Sequence, residues 1–229
     1  MARNGQTIEP TQVAGFNQLY DDLPGTRARR WGVAIDQKFQ NPFFTADTLL
    51  LGGEWSQRQL DVPVIVNNTL AGGLVPSLVE TGWKERYGRL YLSWLPNERL
   101  AFNTGVYYEA LHRTDIAADL DGFTTIQLLQ LPLELRYFDP NGLLGLVRAT
   151  VVREQGQFFD VNTGEVNPGK GTFATVDMGI GWRYPGRPLI ASFEVQNLLD
   201  SNFHFQNIDP LYPGILSRRT FLARLTFRL

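Results

Sequence analysis

A chain of 229 residues with 21 basic and 23 acidic side chains, two histidines and no cysteine has the size of one domain and a net charge of −2. That balance leaves no basic footprint for nucleic acid, and the lack of cysteine removes a disulfide framework and a thiolate metal site. Mean hydropathy is −0.17, and no run approaches the ~20 consecutive apolar residues of a membrane-spanning helix, so any membrane crossing must be made by strands.

The first residues lack the apolar stretch of a secretory signal, so Met1 reads as the start of a mature protein or of a fragment. Residues 1–10 are expected to form a flexible N-terminal segment, and residues 11–229 one barrel domain. A first strand with poor alternation, Thr11 to Tyr20, is suggested by the turn signal Asp21-Asp-Leu-Pro-Gly25. Clearer strands follow at Arg27 to Phe39, Thr45 to Leu60, Leu78 to Trp94, Arg99 to His112 and Phe123 to Tyr137. The series continues with Leu143 to Gln155, Thr172 to Tyr184, Pro188 to Leu199 and Arg218 to Leu229. Together they number ten, an even count that puts both termini at the periplasmic end of a single-chain bacterial barrel.

The connections alternate in length. Tight ones are Gln40-Asn-Pro-Phe43, Leu95-Pro-Asn-Glu98, Phe138-Asp-Pro-Asn-Gly142 and Tyr184-Pro-Gly-Arg187, where Pro, Asn, Asp and Gly preset turn dihedrals. Longer ones span Asp61 to Ser77, Arg113 to Gly122, Gln157 to Gly171 and Ser201 to Ser217. Short turns at one end and long loops at the other are the asymmetry of outer-membrane barrels.

Each strand has two contrasting faces. Leu129, Leu131, Leu133 and Leu135 alternate with Gln130, Pro132, Glu134 and Arg136; Ala174, Val176, Met178, Ile180 and Trp182 alternate with Thr175, Asp177, Gly179, Gly181 and Arg183. The last strand sets Phe221, Ala223, Leu225 and Phe227 against Thr220, Leu222, Arg224 and Thr226. Alternation alone also fits a soluble sandwich or a lipocalin-like binder, whose polar face is outermost. Two features favour the inverse arrangement. The polar face carries both signs of charge on strand after strand: Asp36, Lys38, Glu54, Arg58, Glu85, Arg89, Glu134, Arg136, Arg148, Asp177, Arg183, Glu194 and Arg224. These are expected to line a lumen. On the apolar face, Phe39, Phe43, Trp94, Tyr137, Trp182, Tyr184 and Phe227 gather beside the tight turns, with Trp31, Trp55 and Tyr108 toward the other end. Two such girdles match the aromatic belts of membrane interfaces.

The stretch Glu194-Val-Gln-Asn-Leu-Leu-Asp-Ser-Asn-Phe203, followed by Arg219-Thr-Phe-Leu-Ala-Arg-Leu-Thr-Phe-Arg-Leu229, resembles the end of TonB-dependent receptors. In that family the penultimate strand commonly closes with a V-x-N-L-F-D-like run and the last strand is aromatic-rich. Leu199 stands where the family commonly has Phe, and Leu229 where it has Phe or Trp. The family's plug and 22-stranded barrel exceed this length, so the resemblance implies barrel architecture and outer-membrane location, not chelate specificity. A similar pattern occurs in the barrels of polysaccharide-export proteins.

No constellation of catalytic or metal-binding residues stands out. His112 and His204 are far apart; Ser201, His204 and Asp209 read as loop residues, as do Asp115, Asp119 and Asp121. Pro168-Gly-Lys-Gly171 lacks the frame of a phosphate loop and reads as a hairpin loop. The sequence is therefore expected to encode an all-β, transmembrane, antiparallel up-and-down barrel in the outer membrane of a Gram-negative bacterium, without enzymatic activity or cofactor. It would act as a small pore or as the membrane-embedded barrel of a transporter or receptor. A closed structural or anchor barrel is the alternative. Expected partners are the lipid bilayer, barrel-assembly machinery engaged through the C-terminal strand, and a small solute or ion.

Overall fold

In the computed structural model the described residues are 11–13, 16–18, 25–40, 48–70, 73–114, 123–160, 163–184, 186, 189–202 and 218–227. Their period-two patterns produce strands throughout and no helix. Two short strands, β1 (Thr11–Val13) and β2 (Phe16–Gln18), form a separate two-stranded sheet. Nine strands form the main sheet: β3 (Arg27–Gln40), β4 (Thr48–Leu70), β5 (Gly73–Asn97), β6 (Leu100–Arg113), β7 (Phe123–Phe138), β8 (Leu143–Asp160), β9 (Glu165–Arg183), β10 (Leu189–Gln196) and β11 (Thr220–Phe227). Each pairs antiparallel with its sequence neighbours, so the topology is up-and-down from β3 to β11.

Two expectations are corrected. Among the described residues the main sheet has nine strands where about ten were expected, because Thr11–Val13 and Phe16–Gln18 pair with each other, Val13 opposite Phe16, and not with the main sheet. Poor alternation there gives no apolar face to dock. Among the described residues β3 and β11 each have a neighbour on one side only, so the sheet is not closed. Secondly, two of the long connections are mostly strand. β4 and β5 stay paired to Leu70 and Gly73, and β8 and β9 to Asp160 and Glu165, so Pro168-Gly-Lys-Gly171 lies inside β9. The run Val62-Pro-Val-Ile-Val66 is rich in β-branched residues, which favour strand, and Val62 and Val64 continue the alternation of Leu60. Residues 1–10, 115–122 and 203–217, with Phe43 and Leu229, lie outside the described residues, as do the expectations placed on them.

Tight turns sit where Asn, Asp and Gly predicted them. Asn97 Oδ1 accepts the backbone N–H groups of Arg99 and Leu100 at 2.9 and 3.0 Å. Asp139 Oδ1 accepts Asn141 N–H at 2.8 Å, and Gly142 takes a φ of 95°, a region open to glycine.

The two faces differ in burial in the inverse sense to a water-soluble sheet. On one face, Arg58 and Glu134 are 7% and 8% exposed and Glu154 is fully buried. On the other, Ile35 is 75%, Leu133 50% and Ile180 58% exposed. The enclosed face is the charged one.

Candidate functional site

Antiparallel register sets the inward polar residues side by side across neighbouring strands. In one row Ser93, Asn103, Glu134, Arg148 and Asp177 stand opposite one another from β5 to β9. They are linked almost continuously. Ser93 Oγ donates to Asn103 Oδ1 at 2.7 Å, and Asn103 Nδ2 to Glu134 Oε1 at 3.3 Å. Arg148 Nη2 lies 2.6 Å from Glu134 Oε2, and Arg148 Nη1 lies 3.7 Å from Asp177 Oδ2. Arg136 reaches the other oxygen of Glu134 at 2.7 Å. Glu134 thus holds two guanidinium groups, the arrangement that makes a buried carboxylate tolerable.

A second set lies on β3 to β5. Arg58 makes a bidentate pair with Glu85, at 2.7 and 2.9 Å, the geometry in which guanidinium and carboxylate bind most strongly. Arg30 donates to Ser56 Oγ at 3.3 Å. Arg89 Nε lies 2.9 Å from Glu54 Oε2. The Tyr91 hydroxyl donates to Asp36, reaching from β5 to β3 across Gly52 of β4. A Cβ at Gly52 would collide with both groups, so glycine there is what lets the two strands bridge.

Further along the same strands, away from the tight turns, the inward face becomes apolar. Leu60, Val62 and Val64 form one buried cluster, and Leu111, Phe123 and Ile126 another, with Trp83 packed against both. The Arg113 guanidinium stacks 4.4 Å from the ring centres of Trp83 and Phe123. Along β4 and β5 the enclosed face therefore passes from ion pairs to apolar side chains, while Glu85 stands opposite Leu111 and the buried Glu154 opposite Leu128, so charged and apolar groups interleave there.

Of the charged residues expected to share a lumen, Glu54, Arg58, Glu85, Arg89, Glu134, Arg136, Arg148 and Asp177 are joined in ion pairs. Glu194 accepts from Gln196 at 3.2 Å. Lys38, Arg183 and Arg224 form no ion pair among the described residues. Asp36, Lys38 and Arg224 are exposed because β3 and β11 are edge strands. Ser93 and Asn103, absent from the sequence reading, share the parity of the named charges; that shared parity is the signal that could have found them. The inward apolar layer was missed because Leu60, Val62 and Val64 share a parity with Arg58, and parity carries no information on a change of polarity along one face.

The aromatic residues expected at the two interfaces face outward. Trp31, Phe39, Trp55, Trp94, Trp182, Tyr184 and Phe227 are exposed, and Tyr108 and Tyr137 half-buried. Phe39, Trp94, Tyr137, Trp182, Tyr184 and Phe227 lie at the tight-turn end of their strands. Trp55 and Tyr108 stack with ring centres 6.2 Å apart across Gly88, which stands opposite both, and a Cβ at Gly88 would come within 2.7 Å of the Trp55 ring. Two outward glycines, Gly53 and Gly88, leave a groove of about 490 Å³ bordered by Val33, Ile35, Trp55, Leu90, Val106 and Tyr108.

Among the described residues no group of three His, Asp or Glu side chains is placed to hold a metal ion. Ser201 is half-buried, while His204, Asp209, Asp115, Asp119 and Asp121 lie outside the described residues. Comparison with protein-family models, curated proteins and solved structures returns no match.

Proposed function

We propose that the chain is a membrane-spanning β-barrel of a bacterial outer membrane, acting as a narrow pore or as the membrane-embedded barrel of a transporter. The observation that carries this reading is the inversion of the sheet: its charged face is enclosed and ion-paired while its apolar face is exposed. In water such a surface would drive association, because soluble monomers avoid large contiguous apolar patches. In a bilayer it is the stable arrangement, and outward Trp and Tyr at the tight-turn end suit the headgroup level. In this reading the tight turns face the periplasm, the side on which outer-membrane barrels carry their short turns. The resemblance of Glu194 to Leu229 to the end of TonB-dependent receptors supports the same location.

The test has two parts. Purified protein should need detergent or lipid to fold, and a monodisperse, β-rich monomer in plain buffer would exclude the membrane reading. Reconstituted in planar bilayers, it should conduct in small steps. A closed structural barrel is the second reading, favoured by the inward clusters around Trp83, and a folded, inserted protein with no conductance would select it.

A further inference from the structure

The outward face changes character at a defined level. Following the outward positions away from the tight turns, the apolar run reaches Trp31 in β3, Gly88 in β5, Val151 in β8 and Phe221 in β11. The next outward position is arginine each time: Arg29, Arg86, Arg153 and, immediately before β11, Arg219. Lys84 and Lys170 follow at the next levels of β5 and β9. Arg29, Arg86, Arg153, Lys170 and Arg219 are exposed and Lys84 is half-buried. Among the described residues none of these six side chains makes an ion pair; on the inward face Arg58, Arg89, Arg136 and Arg148 do, and Arg183 and Arg224 do not. Acidic residues on this part of the outward face are Asp61, opposite Arg27 in the β3–β4 register, and Glu80. Among the described residues the collar therefore carries more positive than negative charge, with the Asp200 carboxylate, which accepts the backbone N–H of Arg219, as a further acidic neighbour.

Directly beneath it lies the groove over Gly53 and Gly88, wholly apolar in its outward walls, with Arg86 one outward position beyond Gly88 and Arg29 two beyond Val33. Cations above a hydrocarbon-lined groove match one chemistry: a phosphate carried on acyl chains. We propose that this collar binds the phosphate-bearing head groups of the lipid leaflet at the long-strand end, with an acyl chain lying in the groove. The inference rests on the membrane-spanning reading above and adds a ligand class to it. Guanidinium groups suit the task because their planar fork matches phosphate oxygens.

The experiment uses the full chain folded into phosphatidylcholine vesicles with and without phosphatidic acid, re-extracted in mild detergent, with bound lipid quantified. Wild type should retain phosphatidic acid several-fold above its bulk fraction, and the enrichment should fall with salt as exposed charges are screened. The quadruple variant Arg29→Gln, Arg86→Gln, Arg153→Gln, Arg219→Gln should drop to the bulk fraction. The corresponding Arg→Lys quadruple should keep part of the enrichment, which separates loss of charge from loss of fold. Arg99→Gln, at the opposite end, should keep all of it. Bulk lipid composition on wild type, or undiminished enrichment on the Gln quadruple, overturns the proposal while leaving the membrane reading intact. Tighter binding to heparin than to phosphatidic acid vesicles would assign the collar to a soluble polyanion and overturn it as well. Failure of wild type to insert into phosphatidylcholine alone overturns both.

Discussion

Asn197 illustrates how one side chain carries a local motif. It is 5% exposed, and its amide clamps Ser201 twice: Oδ1 accepts the Ser201 N–H and Nδ2 donates to the Ser201 carbonyl, both at 2.9 Å. Its own N–H is taken by Asp177 Oδ1 at 2.9 Å, which ties the turn to the inward polar row. Three residues on, Asp200 Oδ1 accepts the Arg219 N–H at 3.0 Å and so anchors the entry to β11. Asn197 and Asp200 have φ of 48° and 52°, the left-handed region that Asn and Asp enter more readily than other side chains. This explains why the Asn-Leu-Leu-Asp stretch was legible in the sequence as a motif, yet its role was not: the partners Asp177, Ser201 and Arg219 are set by register and turn geometry. Asn197→Ala leaves the Ser201 backbone groups without their partner, a loss of about 2 kcal/mol. Folding titrations into lipid vesicles should show it, and an unchanged midpoint would mean that water replaces the clamp. Asp139, in the β7–β8 turn, is held below the usual carboxylate range by the Asn141 backbone N–H and then by the Tyr137 hydroxyl. Because its folded value is depressed, its support for the turn is present above the unfolded value near pH 4 and lost as pH falls through the folded one.

At the scale of the strand, alternation alone makes the two faces readable from the sequence. The parity of Leu129, Leu131, Leu133 and Leu135 against Glu134 and Arg136 is the parity found, and β3, β6 and β7 lie close to the expected spans, while β4, β5, β8 and β9 run further. Strand ends were less legible. Polar stretches such as Asn167-Pro-Gly-Lys170 within Gln157 to Gly171 read as loop, but two facing strands can continue to pair wherever their backbones remain in register, and Gln157 stands opposite Pro168. Which face meets lipid is a testable matter of energy. Leu133→Arg, on the exposed face, should cost about 2–4 kcal/mol of folding free energy in lipid vesicles, the range for a cation at the bilayer midplane. Thr175→Arg, on the polar face opposite Thr150, should cost much less. Equal costs for the two would show that the apolar face does not meet lipid.

For the whole molecule, strand parity and charge pairing set what the sheet can enclose. Counting alternate directions from β3 to β11, the two edges run the same way, so direct closure would be a parallel pairing, and antiparallel closure needs a further strand between them. Either way the count stays near the lower end of the barrel series, in which eight strands are filled by side chains and sixteen leave an aqueous channel. Around the enclosed polar layer, Arg89 faces Glu54, while Arg136 and Arg148 converge on Glu134 and Arg148 extends to Asp177. Both signs are present and mutually satisfied, so the wild-type path should be narrow and weakly selective. Replacing Arg89, Arg136 and Arg148 together with Ala removes three long side chains and leaves Glu54, Glu134 and Asp177 without those cations. The carboxylates left behind, Glu54 and Glu134, have side chains only 7% and 10% exposed, so the variant should also lose stability, and its folding into lipid vesicles is measured first. In planar bilayers it should carry a larger current than wild type, with a reversal potential shifted toward cations under a salt gradient. Current and reversal potential both equal to wild type would remove these arginines from the conducting path, and a wild-type step as large as that of a general porin would remove the constriction altogether.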